Sequence, residues 1–228
     1  MHGLESILFM MKKLKEKEIE YLIMADEDVL FKNETLVFNI INQMKSEDYI
    51  VCGIRDGGHI VHRKCNPYVI NTFFSIINFK EIELIWDEVS VLENNYIIEN
   101  EFEDDLNKLI GLYDKNKIFE PYYCFYLWLR RKNKKFLFLS ASMAFDDDEF
   151  TNVVYYKDEI LLYHTWHARF YNKNKKHTER IDKILKLFNL KNHSVQSPVV
   201  FKDKTYLFRK LILRYYKRLV NNIEGFKK

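Results

Sequence analysis

Glycine, proline and cysteine are all sparse in this chain, and long apolar runs are missing. Six glycines and three prolines in 228 residues exclude a collagen-like repeat and a proline-rich disordered chain. The three cysteines, Cys52, Cys65 and Cys124, stand far apart, with no CxxC or Cys/His spacing. That argues against zinc, and an odd, scattered set suits a reducing cytoplasm better than a disulfide framework. No run of about 18 uninterrupted apolar residues is present to cross a bilayer. The opening "MHGLESILFMMKKLKEKEIE" has a short apolar run followed by its charges and no small-residue cleavage site, so it does not read as a signal peptide. The expected location is cytoplasmic, with a peripheral position at the inner face of the membrane open to the basic tail.

What the chain does have is core-forming material: 47% hydrophobic and 16% aromatic residues, enough for one large domain. Net charge is +3, unevenly spread. Phe201–Lys228 holds nine Lys/Arg against Asp203 and Glu224, which gives +7 and leaves −4 for the first 200 residues. An acidic body and a basic tail need separate explanations. The division expected is a domain over 1–200 and a basic amphipathic helix over 201–228.

Apolar spacing at Leu4, Ile7, Leu8, Met11 and Leu14 predicts a helix. "IEYLIMAD" reads as a buried strand covered on both faces, as in a mainly parallel sheet. "ETLVFNIINQMKS" reads as a helix and "YIVCGIR" as the next strand, an order that predicts an α/β sheet. "RDGGHIVHRKCNPYVIN" is rich in turn residues, and "NTFFSIINFKEIELIW" is ambiguous between helix and strand. "NNYIIENEFEDDLNKLIGLYDKNK" reads as loops with a short helix, Glu101–Asp105 being its solvated start. "PYYCFYLWLRRKNKK" predicts a helix, "FLFLS" a strand and "VVYYKDEILLYHTW" a hairpin turning at "KDE". "HTERIDKILKLF" and "YLFRKLILRYYKRLVNNI" predict amphipathic helices.

The stretch "EIEYLIMADEDVLFKN" ends its apolar run in three acids, Asp26, Glu27 and Asp28. Adjacent carboxylates repel, and burying one without a partner is costly. In extended geometry Asp26 and Asp28 point the same way. They lie past the carboxyl end of a strand, where open α/β sheets bind ligands. Two hard oxygen donors suit Mg²⁺ or Mn²⁺, which would relieve the repulsion and could hold a diphosphate. The alternative is an acidic loop leading into the next helix, with Asn33 or Asp28 as its N-cap.

The order helix, apolar strand, "ADEDVLF", helix, strand resembles the nucleotide-sugar glycosyltransferases of GT-A fold, family 2-like. The resemblance spans about residues 1–171. It implies a Rossmann-like mixed sheet flanked by helices, with Asp26 and Asp28 binding a divalent metal and the donor diphosphate. "EPYYCFYLWLRRKNKKFLFLS" looks like the later segment of these enzymes, in which an acid opens a helix running into a basic turn and a strand. That implies Glu120 as the base that deprotonates an acceptor hydroxyl, although Pro121 stands where a second acid is usual. The other reading of Glu120 is a charge at a helix N-terminus, with Pro121 at a first helical position. In "LLYHTWHARFY", His164 matches the late histidine that many such enzymes give to the metal, His167 is a weaker candidate, and Arg169 could pair with a phosphate. A surface histidine beside a packed Trp166 is the plain alternative. Arg55, Asp56, Gly57 and Gly58 form an acceptor-side loop or an ordinary turn. "FDDDEF" reads as an acidic surface loop, with a base or acceptor contact as the other possibility.

The acids arrive almost at once, so the resemblance also implies a domain lacking its first nucleotide-binding half. The implied partners are a nucleotide-sugar donor and a glycan or glycolipid acceptor. A degenerate, non-catalytic domain serving as a membrane-associated or partner-binding module is the rival. A nucleotidyltransferase also uses paired carboxylates, but its Gly-rich, basic phosphate loop is not seen. In the tail, Phe208, Ile212, Tyr215 and Leu219 fall on one helical face, with Arg209, Lys210, Arg214, Lys217 and Arg218 largely off it. An anionic membrane surface suits that pattern. A helix packed on the body suits it too, and nucleic acid is disfavoured because no binding motif is present.

Overall fold

The strand preceding the acids is not where its apolar run places it. In the computed structural model, which describes residues 3–188 and 200–225, β1 (Tyr21–Ala25) is an edge strand, and none of its residues is fully buried. The strands that read as continuously apolar and are buried on both faces are β3 (Tyr49–Arg55) and β4 (Ile70–Asn78). The chain is mixed α/β around a seven-stranded sheet. With β2 (Val29–Phe31), β5 (Lys135–Met143), β6 (Asn152–Tyr156) and β7 (Glu159–His164), the spatial order is β1-β4-β3-β5-β6-β7-β2. Only β3 and β5 run parallel; the other five pairings are antiparallel, which corrects the mainly parallel expectation. β5 gives residues up to Leu139 to β3 and residues from Ser140 onward to β6, so one strand serves two sub-sheets.

Two layers of helix cover the sheet. On one side α2 (Thr35–Glu47) sets Leu36, Val37, Ile40 and Met44 against Cys52, Ile54, Phe74 and Ile76. On the other lie α1 (Gly3–Leu14), α3 (Phe79–Ile85), α4 (Glu88–Glu93) and α5 (Tyr123–Arg131). Every residue of α5 from Tyr123 to Leu129 is buried, the mark of a helix enclosed on all sides. The ambiguous "NTFFSIINFKEIELIW" is both structures in turn: β4 ends at Asn78, whose side chain accepts the Glu81 amide hydrogen bond at 3.2 Å and starts α3. β6 and β7 form the expected hairpin. Lys157 and Asp158 turn it with φ of 48° and 67°, the left-handed pair of a two-residue turn that matches strand twist. All three cysteines are buried free thiols.

Residues 94–122 contain no helix or strand. Side chains on α5 hold this segment in place. Arg131 makes a forked pair with Glu101 at 2.7 and 2.8 Å, and Arg130 pairs with Asp104. Glu101–Asp105 is therefore not a solvated helix start; two of its acids anchor the segment.

A short 3₁₀ turn, Ala168–Phe170, and α6 (Lys175–Leu185) follow β7. The chain separates into two compact units, 1–190 and 191–228. The second contains α7 (Tyr206–Gly225). The last three residues of the predicted basic helix, 226–228, lie outside the described residues, as do the side chains of 213 and 217–225. Among the described residues, no helix is long and apolar enough to cross a membrane.

Candidate metal centre

β1 and β2 occupy opposite edges of the sheet, yet only Asp26, Glu27 and Asp28 separate them in sequence. The three acids therefore bridge the seam between the two edges. The Asp26 amide extends the β1–β4 ladder by donating to the Phe73 carbonyl at 2.9 Å. The Val29 amide donates to the Asp26 carbonyl at 3.2 Å and turns the chain into β2. β2 pairs with β7 so that Val29 faces His164, which sets Asp28 beside that ring.

Asp26, Asp28 and His164 each offer one ligand atom, and the three atoms lie within 4.8 Å of one another. Asp28 Oδ1 is 3.1 Å from His164 Nε2. His164 is buried, stacked on Phe73 at 4.1 Å and tilted against Trp166 at 4.2 Å. Asp26 is exposed, so the cluster opens to solvent on its side. Two carboxylate oxygens and an imidazole nitrogen fit Mn²⁺ well and Mg²⁺ less well, and three protein ligands leave positions for water or a diphosphate.

The electrostatics separate the two aspartates. Partial burial, reinforced by Asp28 and Glu27, pushes the Asp26 carboxyl from an ordinary 3.8 to about 6. Burial also pushes Asp28 upward, but its hydrogen bond and charge contact with His164 and the Ala168 amide outweigh that and leave it lowered. Burial lowers His164, against the pull of Asp28 and with the help of the Arg180 and Arg63 charges. The imidazole is then neutral at pH 7, the form that ligates metal.

Asp28 has a structural task as well. Its carbonyl accepts from the Thr165 amide at 3.0 Å and the Thr165 hydroxyl at 3.3 Å, and its Oδ2 accepts from the Ala168 amide at 3.4 Å. Between those points Trp166 and His167 hold φ of 54° and 62°. Left-handed conformations cost non-glycine residues roughly 1–2 kcal/mol each and persist where surroundings enforce them. Buried Arg180, from α6, supplies the other half of the clamp. It donates to the Thr165 carbonyl, to the Trp166 carbonyl at 2.9 Å and to the Thr151 hydroxyl at 2.7 Å. Sequence reading missed Arg180, although a cation sharing a helix face with Ile184 was a usable signal.

The remaining expected site residues lie elsewhere. His167 packs on His177 at 4.9 Å and Phe150 at 5.3 Å and is not one of the three clustered ligands. Arg169 is exposed, one residue past the amide that bonds Asp28, with its guanidinium 5.4 Å from the Phe170 ring centre. Glu120 sits in the turn before α5. Pro121 lies outside that helix, whose first residue is Tyr123. The Glu120 carboxylate accepts from Arg63 at 3.3 Å. Arg63 in turn forks onto Asp56 at 2.6 and 2.9 Å. Asp56 is fully buried and also accepts from Asn71 and the Tyr123 hydroxyl. His62, next to Arg63, sets its ring 4.7 Å from Trp166, which in turn lies 4.2 Å from the His164 ring.

Packing accounts for the rest of "RDGG". Arg55 is buried against Phe138 and donates to the Pro67 carbonyl at 2.6 Å and to Asp104 at 2.7 Å. A side chain on Gly57 would meet the Cys65 carbonyl at 2.0 Å, and Gly58 holds φ of +92°. In "FDDDEF", Asp148 accepts from the Phe150 and Thr151 amides, and exposed Asp147 pairs with Lys183.

Comparison with protein-family models, with curated proteins and with solved structures finds no match to this chain. The functional reading accordingly rests on the site itself.

Proposed function

We propose that this chain is a GT-A-like, family 2-like glycosyltransferase domain that moves a sugar from a nucleotide-sugar donor to a glycan or lipid-linked acceptor. The observation that carries the reading is the convergence of Asp26 and Asp28 with His164, 136 positions beyond Asp28, their ligand atoms within 4.8 Å of one another. A divalent cation held by these three residues supplies charge neutralisation to the diphosphate leaving group. Asp26 and Asp28 bind from the seam, neutral His164 binds from β7, and exposed Arg169 pairs with a phosphate oxygen. The acceptor hydroxyl oxygen attacks the anomeric carbon, the bond to the diphosphate breaks, and Glu120 takes the hydroxyl proton if the configuration inverts. Glu120 must leave Arg63 to do this.

The test is titration calorimetry with Mn²⁺, then with uridine and guanosine diphosphates in its presence. The expected result is metal-dependent diphosphate binding that Asp28→Asn abolishes. Loss of Mn²⁺ binding in Asp28→Asn alongside unchanged binding in His164→Gln would remove the histidine from the site. Absence of Mn²⁺ binding in the unmodified chain would overturn the proposal. The reading of a non-catalytic domain has one observation behind it: Asp28 is already hydrogen-bonded to the 165–168 loop, a complete structural role without metal.

A further inference from the structure

The site uses none of α7. This helix begins after a cap in which Asp203 accepts from the Thr205 amide at 2.9 Å and pairs with Arg209. Leu207, Phe208, Leu211, Ile212, Tyr215 and Tyr216 are each 50–72% exposed. At about 100° per residue these six cover an arc of roughly 180°. Arg209, Lys210 and Arg214, all exposed, fall on the opposite half. Over 20 residues the helix measures about 30 Å, but it is too polar to cross a membrane.

We infer that α7 lies flat on an anionic lipid bilayer, its apolar arc in the headgroup–acyl boundary and its cations against the headgroups. Three features select this occupant. The apolar arc is wider than the narrow stripe that pairs two helices in a coiled coil. The two tyrosines join an apolar ring to a polar tip, which suits a membrane interface. The charge of +7 over Phe201–Lys228 complements an anionic surface, while half of the helix surface offers nothing to a phosphate backbone.

The experiment is co-sedimentation of the full chain with phosphatidylcholine vesicles, with and without about one-third phosphatidylglycerol. Binding is expected only to the anionic vesicles and is expected to fall as salt shortens the screening length. Each basic side chain near such a surface multiplies partitioning by roughly fivefold, so Arg209→Gln/Lys210→Gln/Arg214→Gln lowers it about 100-fold. Phe208→Ser/Ile212→Ser is also expected to release the protein, while Mn²⁺ titration of either variant is unchanged. Equal binding to neutral vesicles, or full binding by the triple variant, would overturn the inference. So would displacement from vesicles by a single-stranded oligonucleotide, or dimerisation of the free chain that Phe208→Ser/Ile212→Ser abolishes. Because the metal titration is read separately, failure here leaves the proposed function standing, and the reverse holds.

Discussion

Replacing Asp26 by Asn separates a ligand from a structural acid. Asp26 ionises less readily folded than unfolded, because burial and its two acidic neighbours push it from 3.8 to about 6. The sign follows by linkage. The folded state is favoured while the carboxyl stays protonated, and that advantage is lost as pH rises from roughly 4 through about 6. A shift of about two pKa units corresponds to about 3 kcal/mol as an upper bound. Asp26 is exposed, so solvent screening reduces this to about 1 kcal/mol. Urea denaturation with chelator present is therefore expected to find Asp26→Asn about 1 kcal/mol more stable than the unmodified chain at pH 7.5 and equal to it near pH 4. Saturating Mn²⁺ should reverse the order. At a concentration about 100 times Kd, a ligand adds about 2.7 kcal/mol to the protein that binds it, and the variant gains less. An acid that destabilises the empty protein and is rewarded only by metal is the expected signature of a binding residue. A variant less stable than the unmodified chain at pH 7.5 without metal, or equal stabilisation of both by Mn²⁺, would refute this reasoning.

Two further outcomes follow from the packing. Asp56→Asn removes the charge that Arg63 forks onto inside the protein, so it should cost about 3–5 kcal/mol in equilibrium unfolding. Unchanged stability with weakened acceptor binding would return Asp56 to the substrate side. Lys157→Asn with Asp158→Gly places residues that tolerate left-handed backbone at φ 48° and 67°, and should raise stability by about 0.5–1 kcal/mol; a fall in thermal midpoint would contradict the turn geometry.

Local pattern carried the elements, and long-range pairing carried the errors. The alternation through "VVYYKDEILLYH" located the β6–β7 hairpin because its partner strands are neighbours in sequence. The apolar run of β1 could not reveal that it is an edge strand, since burial is decided by β4, which lies some fifty residues downstream. At the site, Asp-x-Asp and a late histidine were readable as types and order, and the β2–β7 register brings them together. Asp56 read as a turn or acceptor-loop acid and Asp104 as part of a solvated helix start because their partners, Arg63 and Arg130, become partners only when the chain folds. Nothing in "RDGG" distinguished a ligand loop from glycines demanded by the Cys65 carbonyl.

The seam has a mechanical meaning. β1 and β2 are the two lips of one sheet, and a three-residue hinge pin joins them. The contact of Asp28 with His164 closes a span of 136 residues. In the chain-entropy picture, a permanent crosslink over about 100 residues is worth about 4 to 5 kcal/mol. A cation seated on Asp26, Asp28 and His164, as proposed, would act as a removable rivet across that span, and fraying of β1 and β2 would then depend on metal.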